Sequence, residues 1–402
     1  MVVDVALPGL DMVDVVLQAG HDWGTIEAVI ERFTEDPGPA ILLGAAAGGA
    51  FGAALGALPA FIFTGFLVIA GVAGGGLVGV GFGPVFGPHI SFAGGAAAAA
   101  YASKNGLMES GFDYHNGKDI GFALGSRPDI LAVGALFGVF GVLGEQLLRF
   151  LAVPTDPIAI MVVISAFAHR AVFGYSILGA VSSKASGRFD MGPFEREETR
   201  AEGESLVTDG EKSTAERLAV EPWLPNMYKW SHVAGIGLAA GGAASYAALQ
   251  VARAGLPSSA QMDFAQALAP ESAGGLGLAT PAVFLGFGIS AATLLFLNLG
   301  VDRIPVTHHM TLPGVTAFFA VAMDAGNGGM LAGLDPIFAV AIGALFGMIG
   351  ALIGEAGQRI FYAHGSTHVD PPAFAIFISI TLIWVLAVAG VFETAVWVPG
   401  GL

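Results

Sequence analysis

The chain has 402 residues, of which 54% are hydrophobic and only 12% charged, with a mean hydropathy of +0.73. Soluble domains carry about 25% charged residues, so this composition argues against a soluble globule. The net charge of −16 argues against the basic surface that nucleic-acid binding needs. With no cysteine, disulfides, a thiol nucleophile and cysteine-based metal sites are excluded.

Residues 1–38 carry eight of the 32 acidic residues and begin without the basic segment and cleavage site of a signal peptide. In "DWGTIEAVIERF", Ile26, Val29, Ile30 and Phe33 fall on one helical face. That spacing predicts an amphipathic helix lying on the membrane surface or on a helical bundle. The acidic, lysine-poor balance, five Lys against eleven Arg, resembles the surfaces of proteins from salt-loving archaea.

Five apolar stretches follow, at 40–57, 59–80, 84–103, 129–151 and 157–183. Runs of about 20 residues with few charges read as transmembrane helices, and a lipid-exposed barrel would alternate in short strands instead. Most of the 60 glycines lie inside such stretches, as in membrane helices that approach closely. Residues 184–230 hold ten acidic and seven basic residues and read as a solvated, cytoplasmic linker. Five further apolar stretches occupy 232–252, 279–301, 304–325, 336–362 and 371–396.

The two sets match in order. "GALFGVFGVLGEQLLRF" from Gly134 is answered by "GALFGMIGALIGEAGQRIF" from Gly343. "AAGGA" at Ala46–Ala50 recurs at Ala239–Ala243, and "LPAFIF" from Leu58 parallels "TPAVFL" from Thr280. "PVFGPHISFAGG" from Pro84 parallels "PVTHHMTLPGV" from Pro305, and "DPIAIMVVIS" from Asp156 parallels "DPPAFAIFIS" from Asp370. The expected fold is an all-α polytopic integral membrane protein of about ten transmembrane helices in two five-helix repeats, 39–183 and 231–402. An odd number of spans per repeat inverts one against the other, an architecture that resembles the 5+5 secondary transporters and channels. The bias of Lys and Arg places the linker in the cytoplasm and the termini outside. If the proline- and glycine-containing third stretch of each repeat is re-entrant instead, the repeats run parallel and the termini join the linker.

Ionisable groups inside apolar segments are expensive and mark functional sites by default. Glu145 and Glu355 are such groups, each followed four residues later by an arginine. That spacing also makes a helix-supporting ion pair whose arginine can snorkel to the interface. His89 and His309 occupy equivalent positions and titrate near neutral pH; each is expected near its glutamate, one cluster per membrane face. Ser91 with Thr311, and Ser165 with Ser379, are candidate polar lining. Arg170, at the middle of the 157–183 stretch, is expected to serve as a counter-ion or anion contact, unless the helix leaves the membrane early. "HGSTHVD", from His364, is a weak metal candidate, and "GVAGGGLVGVGFGP" lacks the lysine of a phosphate loop.

The expected function is a membrane transporter or channel for a small solute or ion, with a cation or a proton-coupled substrate preferred. The alternative is an oligomeric structural or assembly protein, and the third reading is an intramembrane enzyme. The expected partners are the lipid bilayer, the solute and further copies of the chain, in a multi-pass cell-membrane location. No cofactor, metal or nucleic acid is expected, and no catalytic residue is assigned.

Overall fold

The computed structural model describes residues 33–34, 38–74, 77–108, 110, 116–201, 204, 217–255, 275–323, 328–331 and 333–399, with the side chains of 275–281 excepted. The amphipathic helix expected within 1–38 lies outside these residues. The described chain is all-helical, apart from an isolated bridge between Thr199 and Leu218.

The helices are α1 (Gly38–Leu55), α2 (Ala57–Val72), α3 (Leu77–Phe82), α4 (Ala93–Lys104), α5 (Pro128–Phe150), α6 (Pro157–Phe173) and α7 (Gly192–Glu195). After the linker come α8 (Trp230–Gly255), α9 (Gly275–Asn298), α10 (His308–Ala322), α11 (Pro336–Gly357) and α12 (Pro371–Val388). Wide π-type turns at Pro88–Phe92 and Gln358–Tyr362 run into α4 and out of α11.

Proline and aspartate set several of the helix starts. α5, α6, α11 and α12 begin on proline, whose missing N–H is unneeded in the first turn. Asp156, Asp335 and Asp370 cap α6, α11 and α12 by accepting from first-turn backbone N–H groups. α6 ends at Gly174, left-handed at φ 72°. The apolar stretch 157–183 is therefore not one long helix, and Arg170 sits in the last turn of a short one rather than at a midpoint.

Among the described residues five helices are long and apolar enough to cross a membrane: α1, α5, α8, α11 continued through Tyr362, and α12. α2, α6 and residues Ala282–Asn298 of α9 are apolar but shorter. The most enclosed elements are α10, with every residue buried, and the run 87–100 that enters α4. Around them, α5 packs on α1, α4 and α6, and α11 packs on α8, α10 and α12. α2 lies along α9, and α6 along α12.

Glycine sets these distances. A Cβ on Gly94 would stand 2.8 Å from the Gly134 carbonyl oxygen and 2.8 Å from Gly49 Cα. A Cβ on Gly314 would stand 2.8 Å from the Gly343 oxygen and 3.0 Å from Gly241 Cα. The backbones thus touch where side chains would normally separate helices. These contacts put Gly49, not Gly48, in the place that Gly241 holds, one residue away from the register suggested by the "AAGGA" match.

The linker differs from the solvated connector expected of it. Its described part packs on the end of the bundle where α11 finishes and α12 begins. Arg217, Ala219, Val220 and Glu221 are buried. Arg217 Nε donates to Glu221 at 2.7 Å, and Nη1 to Ser366 Oγ at 2.9 Å. Lys118 Nζ reaches the same carboxylate at 2.6 Å and lies over the Tyr362 ring at 4.5 Å. Charges that solvate a free linker are here neutralised against one another, which is what allows them to be buried.

Candidate functional site

The first cluster forms where the last turns of α5 pass the π-type turn ahead of α4. Gly141 of α5 lies on the backbone carbonyl of His89, so the strand of helix carrying Glu145 runs directly beside the histidine. Glu145 Oε1 accepts from Arg149 Nε at 2.5 Å, and Oε2 accepts from Gln146 Nε2 at 2.6 Å. His89 Nε2 stands 3.8 Å from Glu145 Oε2, with neither ring nitrogen hydrogen-bonded among the described residues. Gly87 makes room for that ring, because a Cβ there would meet His89 Cε1 at 2.6 Å.

The second cluster forms where α11 opens into its π-type turn. Gly350 of α11 lies on the backbone carbonyl of His309. Glu355 Oε1 accepts from Arg359 Nε at 2.6 Å and from Gln358 Nε2 at 3.1 Å. A Cβ on Gly354 would touch the His309 ring at 2.9 Å, which places the ring one residue from Glu355. π-type turns of this kind recur at functional sites.

The clusters share a glutamate, an arginine four residues later and a neighbouring glutamine, with a histidine close by. They differ in cover. Arg359 Nη1 donates to the Phe189 carbonyl at 2.7 Å and Nη2 to the Tyr228 carbonyl at 2.9 Å. Its guanidinium stacks over Trp230 at 4.5 Å, Trp223 N donates to Gln358 Oε1 at 3.2 Å, and the Trp223 ring meets that of His309 edge-on. The linker therefore seals the second cluster. Arg149 bonds through Nε alone among the described residues and is partly exposed.

The other expected residues are scattered. Ser91 donates to the Phe86 carbonyl at 3.3 Å, and Thr311 to the His308 carbonyl at 3.3 Å. The hydroxyls of Ser165 and Ser379 are buried without a hydrogen-bond partner among the described residues. Arg170 is fully buried. It donates to Thr367 Oγ1 at 2.9 Å, the Thr367 carbonyl at 2.8 Å and the Ile177 carbonyl at 2.6 Å, so it anchors the loop ahead of α12. Among the described residues no group of His, Asp and Glu is arranged to hold a metal; His368 instead bonds Asp370 at 3.2 Å.

Sequence reasoning missed Gln146, Gln358 and the buried Lys118–Glu221–Arg217 triad. The glutamines carried a signal, since each lies within one helical turn of its glutamate. In the triad only the four-residue spacing of Arg217 and Glu221 was visible, because Lys118 comes from a distant segment. Burial holds the Lys118 ammonium down at about 8, against the opposing pull of Glu221. His364, whose Nε2 donates to the Arg188 carbonyl at 3.1 Å, is lowered to about 4 by burial.

The chain belongs to the DUF7973 family. The model of this family of unknown function matches residues 33–79, 74–261 and 272–401. No curated protein and no solved structure matches the chain. Both carboxylate clusters of this DUF7973 chain fall inside the matched segments.

Proposed function

We propose that this chain is a membrane carrier or channel of ten helices, built as two inverted five-helix repeats around a pathway for a small cation or a proton-coupled solute. The observation that carries the reading is the recurrence of one buried Glu–Arg–Gln cluster, with its glycine laid on a histidine carbonyl, in each half of the chain. The helix pairings support the repeats: α1, α4 and α6 surround α5 as α8, α10 and α12 surround α11. Inversion is supported by direction. The start of α5 lies by the end of α4 through Tyr101 and Asp129, and the end of α4 meets Tyr175, beyond α6. The end of α6 is tied through Arg170 to Thr367, just past the finish of α11. The start of α5 and the finish of α11 thus share one end of the bundle, and the two Glu–Arg clusters lie at opposite ends.

In this reading Glu145 and Glu355 bind the cation or proton, and each exchanges its arginine partner for the incoming charge. His89 and His309 flank the carboxylates, and Ser91, Thr311, Ser165 and Ser379 supply polar surface. The first cluster, with its partly exposed Arg149, and the linker-sealed second one correspond to the two faces of alternating access. The deciding experiment is ion and proton flux in proteoliposomes, comparing wild type with a Glu145→Gln/Glu355→Gln double variant. A loss of flux supports the reading, and unchanged flux removes the carboxylates from it.

A second reading, a membrane scaffold that assembles as a homo-oligomer, is favoured by Arg359, all of whose nitrogens are bound within the chain. It predicts no flux from wild type at all.

A further inference from the structure

Apart from both carboxylate clusters, a small cavity lies between α4, α6 and the N-terminus of α12. Its walls are Phe92, Ala93, Ala96, Val162 and Ala166, and its polar groups are His169, His368 and Asp370. It has room for about one water molecule. His169 and His368 are buried, and the Nδ1 atom of each lacks a hydrogen-bond partner among the described residues.

The surrounding bonds allow the proton of each ring to be assigned. Arg170 Nε can only donate, so Thr367 Oγ1 accepts from it at 2.9 Å. The Thr367 hydroxyl is assigned as donor to His169 Nε2 at 3.0 Å, its other partner among the described residues, since the reverse direction would leave its hydrogen unbonded. His169 Nε2 is thereby an acceptor, and a neutral His169 carries its hydrogen on Nδ1. His368 is the opposite case. Its Nε2 donates to the Asp370 carboxylate at 3.2 Å, which in the neutral ring leaves a bare lone pair on Nδ1. Asp370 Oδ2 meanwhile accepts from Ala373 N at 2.8 Å. One cavity is therefore lined by two buried rings, one offering an unmet donor and the other an unmet acceptor.

We propose that this cavity is a binding site for a single water molecule, which accepts from His169 Nδ1–H and donates to His368 Nδ1. A neutral molecule with both a donor and an acceptor satisfies the two rings together, whereas a metal ion would face the hydrogen on His169. Leaving both nitrogens bare would cost each its desolvation without a compensating bond, and a bridging water removes most of that cost. The bridge makes Arg170, Thr367, His169, the water, His368 and Asp370 one continuous chain of donors and acceptors. It crosses the seam between α6 and α12 and is independent of any transport role.

The test is solid-state NMR of the full chain in lipid vesicles with nitrogen-15-labelled histidine, the two residues being assigned with His169→Asn and His368→Gln variants. The expected result is a protonated Nδ1 with bare Nε2 at His169, the reverse at His368, and magnetisation transfer from water to both Nδ1 positions. Ala166→Leu, which fills the cavity, should abolish that transfer. The same tautomer at both rings, an imidazolium at either, or no transfer from water in wild type overturns the proposal. If Ala166→Leu fails to fold, the wild-type tautomers and water transfer decide alone.

Discussion

Lys118 and Glu221 meet at 2.6 Å although they stand 103 positions apart in the chain. The contact joins the loop after α4 to the central linker, and Arg217 completes it from four residues away. A buried carboxylate that holds two cations is the pin of this end of the bundle.

Removing that pin should be costly. Glu221→Leu leaves Lys118 and Arg217 buried without their shared anion, and breaking a buried pair in this way costs about 3–5 kcal/mol. Thermal unfolding in detergent should show a large drop in midpoint. Lys118→Met combined with Glu221→Leu should be less destabilised than the sum of the single changes, since each removes a charge the other was neutralising.

Acid should loosen the same end. The unfolded chain takes up a proton on His364 near 6.5, the folded chain only near 4. Between those values the unfolded state binds more protons, so stability falls as the pH drops from 6.5 to 4. Fully developed, the effect is at most about 3 kcal/mol. A His364→Gln variant should flatten the unfolding midpoint across that window, and an unchanged slope would assign the acid sensitivity to other groups.

The linker clamp makes a prediction about the two arginines. Arg359→Lys cannot reproduce three directed bonds and a stacked plane with a single ammonium, so it should free the linker from the bundle. Limited digestion by a glutamate-specific protease should become several-fold faster within 190–230. Arg149→Lys, at the cluster with no such clamp, should leave the digestion rate unchanged.

Gly141→Ala and Gly350→Ala would each press a methyl group onto a histidine carbonyl, with an expected loss of about 1–3 kcal/mol. Gly235→Ala on α8 meets nothing within 4 Å and should gain about 0.5–1 kcal/mol from helix propensity. Opposite signs in thermal unfolding would separate close packing from backbone flexibility as the reason for these glycines.

The helical, apolar character of the chain was legible because long uncharged runs have few other solutions. The Glu145–Arg149 and Glu355–Arg359 pairs were legible from their four-residue spacing alone. The length of α6 was not, since the residues beyond Gly174 are as apolar as those before it and only the left-handed cap ends the helix. The burial of the linker was also hidden: "RLAVEP" (Arg217–Pro222) looks hydrophilic until Lys118 and Ser366 are brought against it from 99 residues upstream and 149 residues downstream of Arg217. For the same reason Thr367 gave no hint that it joins His169 to Arg170, because hydrogen-bond partners from separate segments leave no periodic trace.

The contacts among Gly49, Gly94 and Gly134, and among Gly241, Gly314 and Gly343, have a thermodynamic side. Glycine and alanine have no rotamers to freeze, so these surfaces dock without the side-chain ordering that a leucine seam would demand. In lipid, where sequestering oil from oil brings no gain, the enthalpy of touching backbones faces little entropic opposition. Assembly is then decided by fit, and a single added carbon atom at these points works against it.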